Sequence, residues 1–406
     1  MNKKVSLGVC LSLIIIAVAA TFAITMVFSK QIYNGIISNI SQRAQTYEGA
    51  EEINKLISNY YYGKLDEYNN NLGASLAEGY VNGLNDANSY YLTASEYTEY
   101  VDRLENGLSG IGVESSFSYN TNQLIISYVY DGSPAANAEL KSGDIITAIN
   151  NETVTRSNYS SLRNNLYGSK LQTVTLEYMR DDVTKTAQVM TGFSIPSIIS
   201  KTGGTNGYIR INRFYKNTPD ELQAALEDMK NNGIECVVFD VRDVSEGTIA
   251  YAAQAIDVIV PNISGSIAVA RDKNGKDKQT FPAQESSFSM NFAVLINSGT
   301  SGPAELFACD LRDISLAQLV GTATAGIGTM QELFSLEDGS AILLSTALVI
   351  PKNGEDAVYN EVGVSPTIEV TPMFNESDVL LLSETQDNQL QIAINYISNK
   401  TQTTVS

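Results

Sequence analysis

The chain has 406 residues, of which 43% are hydrophobic, and carries a formal net charge of −19 with no histidine. The length asks for two or three domains, and the apolar share is enough to bury their cores. The negative balance argues against nucleic-acid binding, which needs Lys and Arg to neutralise phosphates. Without histidine the chain cannot build a Ser–His–Asp or Cys–His site or a His-ligated metal centre. The three cysteines, Cys10, Cys236 and Cys309, show no metal-binding spacing and read as free thiols, so no metal or cofactor is expected.

Val5–Phe28 carries no charge and follows Lys3 and Lys4. It is long enough to span a bilayer, and the lysines favour a cytoplasmic N-terminus with the bulk of the chain outside the cytoplasm. The alternative is a cleaved signal peptide with Ala17-Val18-Ala19 as the small-residue site. Residues 31–103 form a tyrosine-rich region. Ile53, Leu56, Ile57 and Tyr60, then Leu76, Tyr80, Val81 and Leu84, recur at helical spacing and predict two packing helices.

Residues 104–195 change character. Short alternating runs at Gly112–Phe117, Gln123–Val129, Asp144–Ile149 and Gln172–Tyr178 are separated by turn residues. Among them stand Gly110-Ile111-Gly112-Val113, Gly132-Ser133-Pro134-Ala135 and Leu140-Lys141-Ser142-Gly143-Asp144-Ile145-Ile146. This module resembles a PDZ domain. The resemblance implies that the Gly110–Val113 turn offers backbone N–H groups to a peptide's terminal carboxylate. The next strand would then pair with that peptide, and a helix at Asn158–Leu166 would flank the groove. A spacer with a closed groove is the alternative.

Residues 196–372 read as α/β. The expected strands are Gly207–Ile211, Glu235–Val241, Ser266–Ala270, Phe292–Ile296 and Ala341–Ile350. The expected helices are Thr218–Asn231, Ala250–Ile259 and one opened by Pro303, with a closing helix at Asn388–Ile397 inside a C-terminal segment 373–406. The strand at Phe292–Ile296, the turn Asn297–Gly302 and the Pro303 helix make an elbow of the kind that holds a nucleophile. A second glycine loop, Gly321–Gly328, follows.

In family order, Leu84-Asn85-Asp86-Ala87-Asn88-Ser89-Tyr90-Tyr91-Leu92, the PDZ motifs, Gly207-Tyr208-Ile209-Arg210-Ile211, Asp240-Val241-Arg242, Asn297-Ser298-Gly299-Thr300 and Gly363-Val364-Ser365-Pro366-Thr367-Ile368 resemble the C-terminal processing peptidases. These tail-specific proteases are Ser–Lys dyad enzymes with an embedded PDZ domain. The resemblance implies an α/β core of the ClpP/crotonase-like type with an inserted β-rich PDZ domain, to which the uncharged Val5–Phe28 run adds an N-terminal transmembrane helix. The family's nucleophile turn reads Asn-x-Gly-Ser-Ala-Ser-Ala-x-Glu, and Asn297 and Glu305 match its ends without a gap, which puts Gly302 at the nucleophile position. The lysine turn reads Gly-x-x-x-x-Gly-Lys-Gly-x-x-Gln. Gly321, Gly326, Gly328 and Gln331 match it, and Ile327 stands in the lysine's place. In the family's oxyanion stretch, Glu246-Gly247 replaces a glycine pair and brings a carboxylate close to where an oxyanion forms.

Glycine has no nucleophilic oxygen and isoleucine cannot take a proton, and losing either half of such a unit costs orders of magnitude in rate. Gln331 then has no lysine to orient and is expected to make a loop hydrogen bond. Ser301 is the fallback nucleophile, but Lys273, Lys276 and Lys278 read as loop residues that offer it no base. Thr300 and Ser301 are expected to cap the Pro303 helix. The reading is a membrane-anchored pseudoprotease that binds protein C-terminal tails, with an active paralogue or a homodimer as further partners. An active endopeptidase using Ser301 and a pure scaffold are the rivals.

Overall fold

The computed structural model describes residues 48–404 apart from 64–68, 261–263, 284–287, 289 and 374–375. The expected membrane segment Val5–Phe28 and Cys10 lie outside the described residues. Among the described residues no helix is long and apolar enough to cross a membrane. The chain divides into one unit through Leu76 and a second from Ala77.

Helix α1 spans residues 48–60, and α2 spans Asn69–Asn82. The apolar stripe expected to pack is instead exposed at Ile53, Leu56, Tyr60, Leu76, Tyr80 and Leu84, while Val81 is buried. A helical apolar period specifies a face, not the surface that covers it. The region also contains elements the helical reading did not include: strand β1 (Tyr90–Leu92) and helix α3 (Ala94–Asn106). Thr93 caps α3, with Glu96 reaching back to the Thr93 N–H. That capping box is visible in the sequence as Thr-x-x-Glu.

The PDZ module runs β2 (Leu108–Gly110), β3 (Val113–Ser118), β4 (Gln123–Val129), α4 (Pro134–Asn137), β5 (Ile145–Ile149), β6 (Glu152–Thr153), α5 (Tyr159–Asn164), β7 (Thr173–Arg180), β8 (Val183–Met190) and β9 (Phe193–Ile195). Its main sheet has the order β3-β4-β5-β7-β8, with β3 at one edge. The four expected strands are present within two residues at either end. Strand β8 went unread because most of its side chains are polar and exposed. It is fixed by its hairpin with β7 through Asp181 and Asp182, both at positive φ.

The core begins with β10 (Ile198–Gly203), β11 (Asn206–Ile211), α6 (Thr218–Asn231), β12 (Cys236–Asp240), α7 (Ile249–Ile259), β13 (Ser266–Asp272) and β14 (Asp277–Pro282). It continues with β15 (Asn291–Ile296), α8 (Pro303–Ser315), β16 (Gln318–Gly321), β17 (Thr329–Ser335), β18 (Ala341–Ile350), β19 (Ile368–Glu369) and α9 (Asn388–Thr404). One sheet has the order β10-β11-β12-β15-β16-β19, parallel except for the β10–β11 hairpin. Alternation along β12 explains its two covered faces: Val237 and Phe239 meet α6, α7 and α8, while Cys236 and Val238 meet Ala393 and Ile397 of α9. Cys236 and Cys309 are both buried, as the sequence predicts. A second sheet gathers β1, β18, β13 and β14, with β17 on β18.

Candidate active site

The loops after β11, β12, β15 and β16 meet at the carboxyl ends of the parallel strands, where open α/β sheets place their ligands. After β15, Asn297 Oδ1 accepts the Asp243 N–H at 2.9 Å, and the Ser301 N–H donates to Val244 O at 2.9 Å. After β16, the Ala325 N–H donates to Thr300 O at 3.0 Å. After β11, the Phe214 N–H donates to Glu246 O at 2.9 Å. At Gly299 a Cβ would fall 2.4 Å from Asp243 Oδ1, so this position has to be glycine for the two loops to approach.

Gly302 is the N-cap of α8, with φ 57° and ψ −114°. That is a strained conformation for any residue with a side chain, and such strain clusters at functional turns. A Cβ built on Gly302 meets nothing within 4 Å. The turn therefore combines a backbone conformation that favours glycine with open space beside the Gly302 Cα.

One carboxylate joins this turn to the second glycine loop. Glu305 is fully buried. Its Oε2 accepts the Gly302 N–H at 3.0 Å and the Ile327 N–H at 2.7 Å. Its Oε1 accepts the Gly326 N–H at 2.7 Å and the Thr324 hydroxyl. The two positions that the family resemblance marks are thus fastened to the same oxygen atom. The loop is held from its other side by Asn360, whose Oδ1 accepts the Gly328 N–H at 3.0 Å, and by Thr324, whose Oγ1 accepts the Val364 N–H at 2.7 Å.

Residues 205–370 match the model of peptidase family S41, and residues 109–191 match the model of the PDZ domain. A probable CtpA-like serine protease of Staphylococcus aureus (strain N315) is 24% identical over 374 residues, covering 90% of this chain and 74% of that protein. One of Staphylococcus epidermidis is 25% identical over 378 residues, covering 92% and 74%. By these matches the chain is similar to the C-terminal processing peptidases, with a peptidase S41 match in its core and a PDZ match in its insert. Among solved structures it is similar to the photosystem II D1 C-terminal processing protease, with a TM-score of 0.47 and 21% identity over 73% of this chain and 81% of that one.

Several residues of this peptidase frame sit differently from their sequence expectation. Thr300 and Ser301 do not cap α8. The Thr300 hydroxyl donates to Val241 O at 2.8 Å and accepts the Asn297 N–H at 3.0 Å, so it ties the turn to β12. The cap is Gly302, served by Glu305. Ser301 is largely buried, with its backbone N–H on Val244 and its carbonyl accepting the Ala304 N–H. Lys273 and Lys276 lie in the exposed turn between β13 and β14 as expected, whereas Lys278 is exposed on strand β14 rather than in a loop and pairs with Glu332. Gln331 makes the expected local bonds, donating to Thr329 O and Oγ1 at 3.2 and 2.9 Å and to Ser345 Oγ at 3.2 Å.

Glu246 accepts the Tyr215 hydroxyl at 2.7 Å. Crowding by neighbouring atoms pushes its carboxyl up, but Arg213, the Tyr215 hydroxyl and Arg103 outweigh that and leave it below the usual range. It therefore stands as an anion at neutral pH. Gly247 has φ 123°, and a Cβ there would lie 2.2 Å from Phe214 O, so this glycine is held by packing against the β11 loop.

In the PDZ module Gly110, Ile111, Gly112 and Val113 are all buried. The Ile111 N–H donates to Leu166 O at 2.9 Å, and Gly112 O accepts the Tyr130 N–H at 3.0 Å. The sequence reading supposed consecutive free N–H groups in this turn; the Ile111 group is already satisfied within the module. Helix α5 does flank edge strand β3, two residues shorter at its C-terminal end than expected. Side chains bridge the cleft between them: Phe117 and Tyr159 stack with centroids 3.9 Å apart, and Arg163 Nε donates to Ser115 Oγ at 3.2 Å.

Proposed function

We propose that this chain is a catalytically inactive C-terminal processing peptidase homologue, anchored in a membrane through residues 5–28 with its bulk outside the cytoplasm. It binds protein C-terminal tails through its PDZ domain without cutting them. The observation that carries the inactivity is the shared oxygen of Glu305. It fastens the turn of Gly302 to the loop of Ile327, and neither residue has a group that attacks or takes a proton. The carboxylate of Glu246 beside the β11 and β12 loops adds to this, since a fixed negative charge there opposes an oxyanion. Edge strand β3 supports the binding half, because a strand with one edge unpaired by other strands, beside a helix, is the surface that β-augmentation uses. The contacts that Tyr159 makes with Phe117 and Tyr119 and that Arg163 makes with Ser115 are between side chains, so a tail can displace them without unfolding backbone.

The test is the paired reversion Gly302→Ser with Ile327→Lys, assayed for cleavage of tailed peptides beside the unaltered chain. The expected outcome is no cleavage by the unaltered chain and measurable cleavage by the double variant. Cleavage by the unaltered chain that disappears in Ser301→Ala would overturn the reading in favour of a shifted nucleophile. For the binding half, labelled C-terminal peptides should bind saturably and lose affinity on amidation of the terminus. Indifference to amidation would sink it.

A further inference from the structure

The cations over the PDZ cleft are unusual in a chain of net charge −19. Arg163 lies on α5 and crosses to β3, where its Nε meets only the neutral Ser115 hydroxyl. Its guanidinium carbon stands 5.6 Å from the centroid of the Tyr167 ring. No carboxylate of the described residues lies within salt-bridge distance of it. The two acidic residues whose charge it feels, Glu246 and Glu114, are committed elsewhere: Glu246 to Tyr215, and Glu114 to Arg213 at 2.6 Å and Tyr130 at 2.8 Å. Arg156, just before α5, is exposed over the Tyr119 ring at 5.4 Å and also has no carboxylate partner among the described residues. By contrast, Arg180, Arg210, Arg213, Arg242, Arg271 and Arg312 are each paired with a carboxylate. The arginines without one include the pair that frames the peptide cleft.

We propose that the PDZ cleft selects tails carrying an acidic side chain two residues before the terminus, and that Arg163 is the residue that reads it. This rests on the tail-binding reading above. Register supplies the position. A strand added antiparallel to β3, with its end at Gly112–Val113, places its terminal residue beside Val113 and the residue two before it beside Ser115, because side chains alternate with period two. Ser115 is the side chain Arg163 touches. Arg163 then exchanges a neutral hydroxyl for a carboxylate, a charge-assisted and geometrically matched contact. The exchange also compensates for the turn, where the Ile111 N–H is spent on Leu166 and a terminal carboxylate finds fewer free donors. Tyr159 swings off Phe117 to admit the strand. The chain's overall negative charge repels acidic tails at long range, so the selection is local and short-ranged.

The experiment uses the purified full chain and labelled decapeptides by fluorescence anisotropy. Four peptides carry Glu or Gln two residues before the end, each with a free or an amidated terminus. The free-terminus Glu peptide should bind about ten-fold tighter than its Gln partner, the size of one charged hydrogen bond. Arg163→Met should erase that ratio, and Arg163→Lys should restore part of it, which a merely structural Arg163 would not do. Tyr159→Ala should tighten both peptides and keep the ratio. Equal binding of Glu and Gln peptides, both lost on amidation, would overturn the acidic selection and leave tail binding standing. No saturable binding of any peptide, including to Tyr159→Ala, would overturn both.

Discussion

Gly302 and Glu305 show how a turn's shape is held by backbone conformation and one buried carboxylate. Gly302 holds φ 57° and ψ −114°, and Glu305 holds the two loops with a buried carboxylate that accepts four hydrogen bonds. A serine there has room for its side chain but bears backbone strain of about 1–3 kcal/mol, so Gly302→Ser alone is expected to lower the stability even as it restores an oxygen. About two helical turns beyond Gly302, Asp310 sets a different problem. It is fully buried on α8, its Oδ1 accepts the Lys352 N–H at 3.0 Å, and its Oδ2 has no partner. Burial pushes its carboxyl up to about 8. The folded chain therefore holds this proton more tightly than the unfolded chain, whose value is near 3.8. The associated stability is full below about 4 and is lost as pH rises toward about 8. Asp310→Asn should remove that loss, so its Tm advantage over the unaltered chain grows between pH 5 and pH 8. A constant difference across that range would show Asp310 to be ionised in the fold.

Among the elements, α9 depends most on a single clamp. Arg242, fully buried at the end of β12, donates to Asp240 Oδ2 at 2.6 Å, to Asp387 Oδ2 at 2.6 Å and to Gln389 Oε1 at 3.0 Å. Asp387 Oδ1 also accepts the N–H groups of Gln389 and Leu390, capping the first turn of α9. Burial pushes the Asp240 carboxyl up, but Arg242 and Arg210 outweigh it and hold it down at about 2. Its contribution is thus complete above about 4 and fades only as pH falls toward 2. Asp387→Ala removes both the cap and one partner of a buried cation. The expected cost is about 3–5 kcal/mol, read as a fall in the urea midpoint at unchanged slope. A shift within error would mean that α9 is held by Ala393 and Ile397 alone.

For the whole molecule, the PDZ module and the core are joined by a buried polar knot. Glu114 of β3 takes Arg213 at 2.6 Å and the Tyr130 hydroxyl at 2.8 Å, and Arg213 also donates to Pro196 O at 2.9 Å. Arg213 is held above its ordinary range by Glu114 and Tyr130 against the opposing effect of burial. Glu114→Ala leaves that cation buried and unpaired, at a cost of about 3–5 kcal/mol. Cleavage between Met190 and Ser197 in limited proteolysis should then be faster than in the unaltered chain. An unchanged rate would locate the joint in the apolar contacts of Leu108, Ile195 and Tyr215 instead.

Local pattern determined much of this chain. Helix α6 and strand β18 fall on their expected bounds, Thr218–Asn231 and Ala341–Ile350, because hydrophobic period and helix-start residues act over a few neighbours. The family resemblance, which runs without a gap from Asn297 to Glu305 and from Gly321 to Gln331, marked Gly302 and Ile327. Strand β8 stayed hidden because its exposed polar residues carry no period, and only pairing with β7 makes it a strand. The role of Glu305 was equally out of reach. Its four donors come from two loops about twenty residues apart, and only tertiary structure brings them to one carboxylate. The same holds for the PDZ cleft: Gly110–Val113 is legible as a motif, but whether its N–H groups are free depends on Leu166, more than fifty residues away. The elbow's shape was local information; its connection to the second loop was decided by the fold.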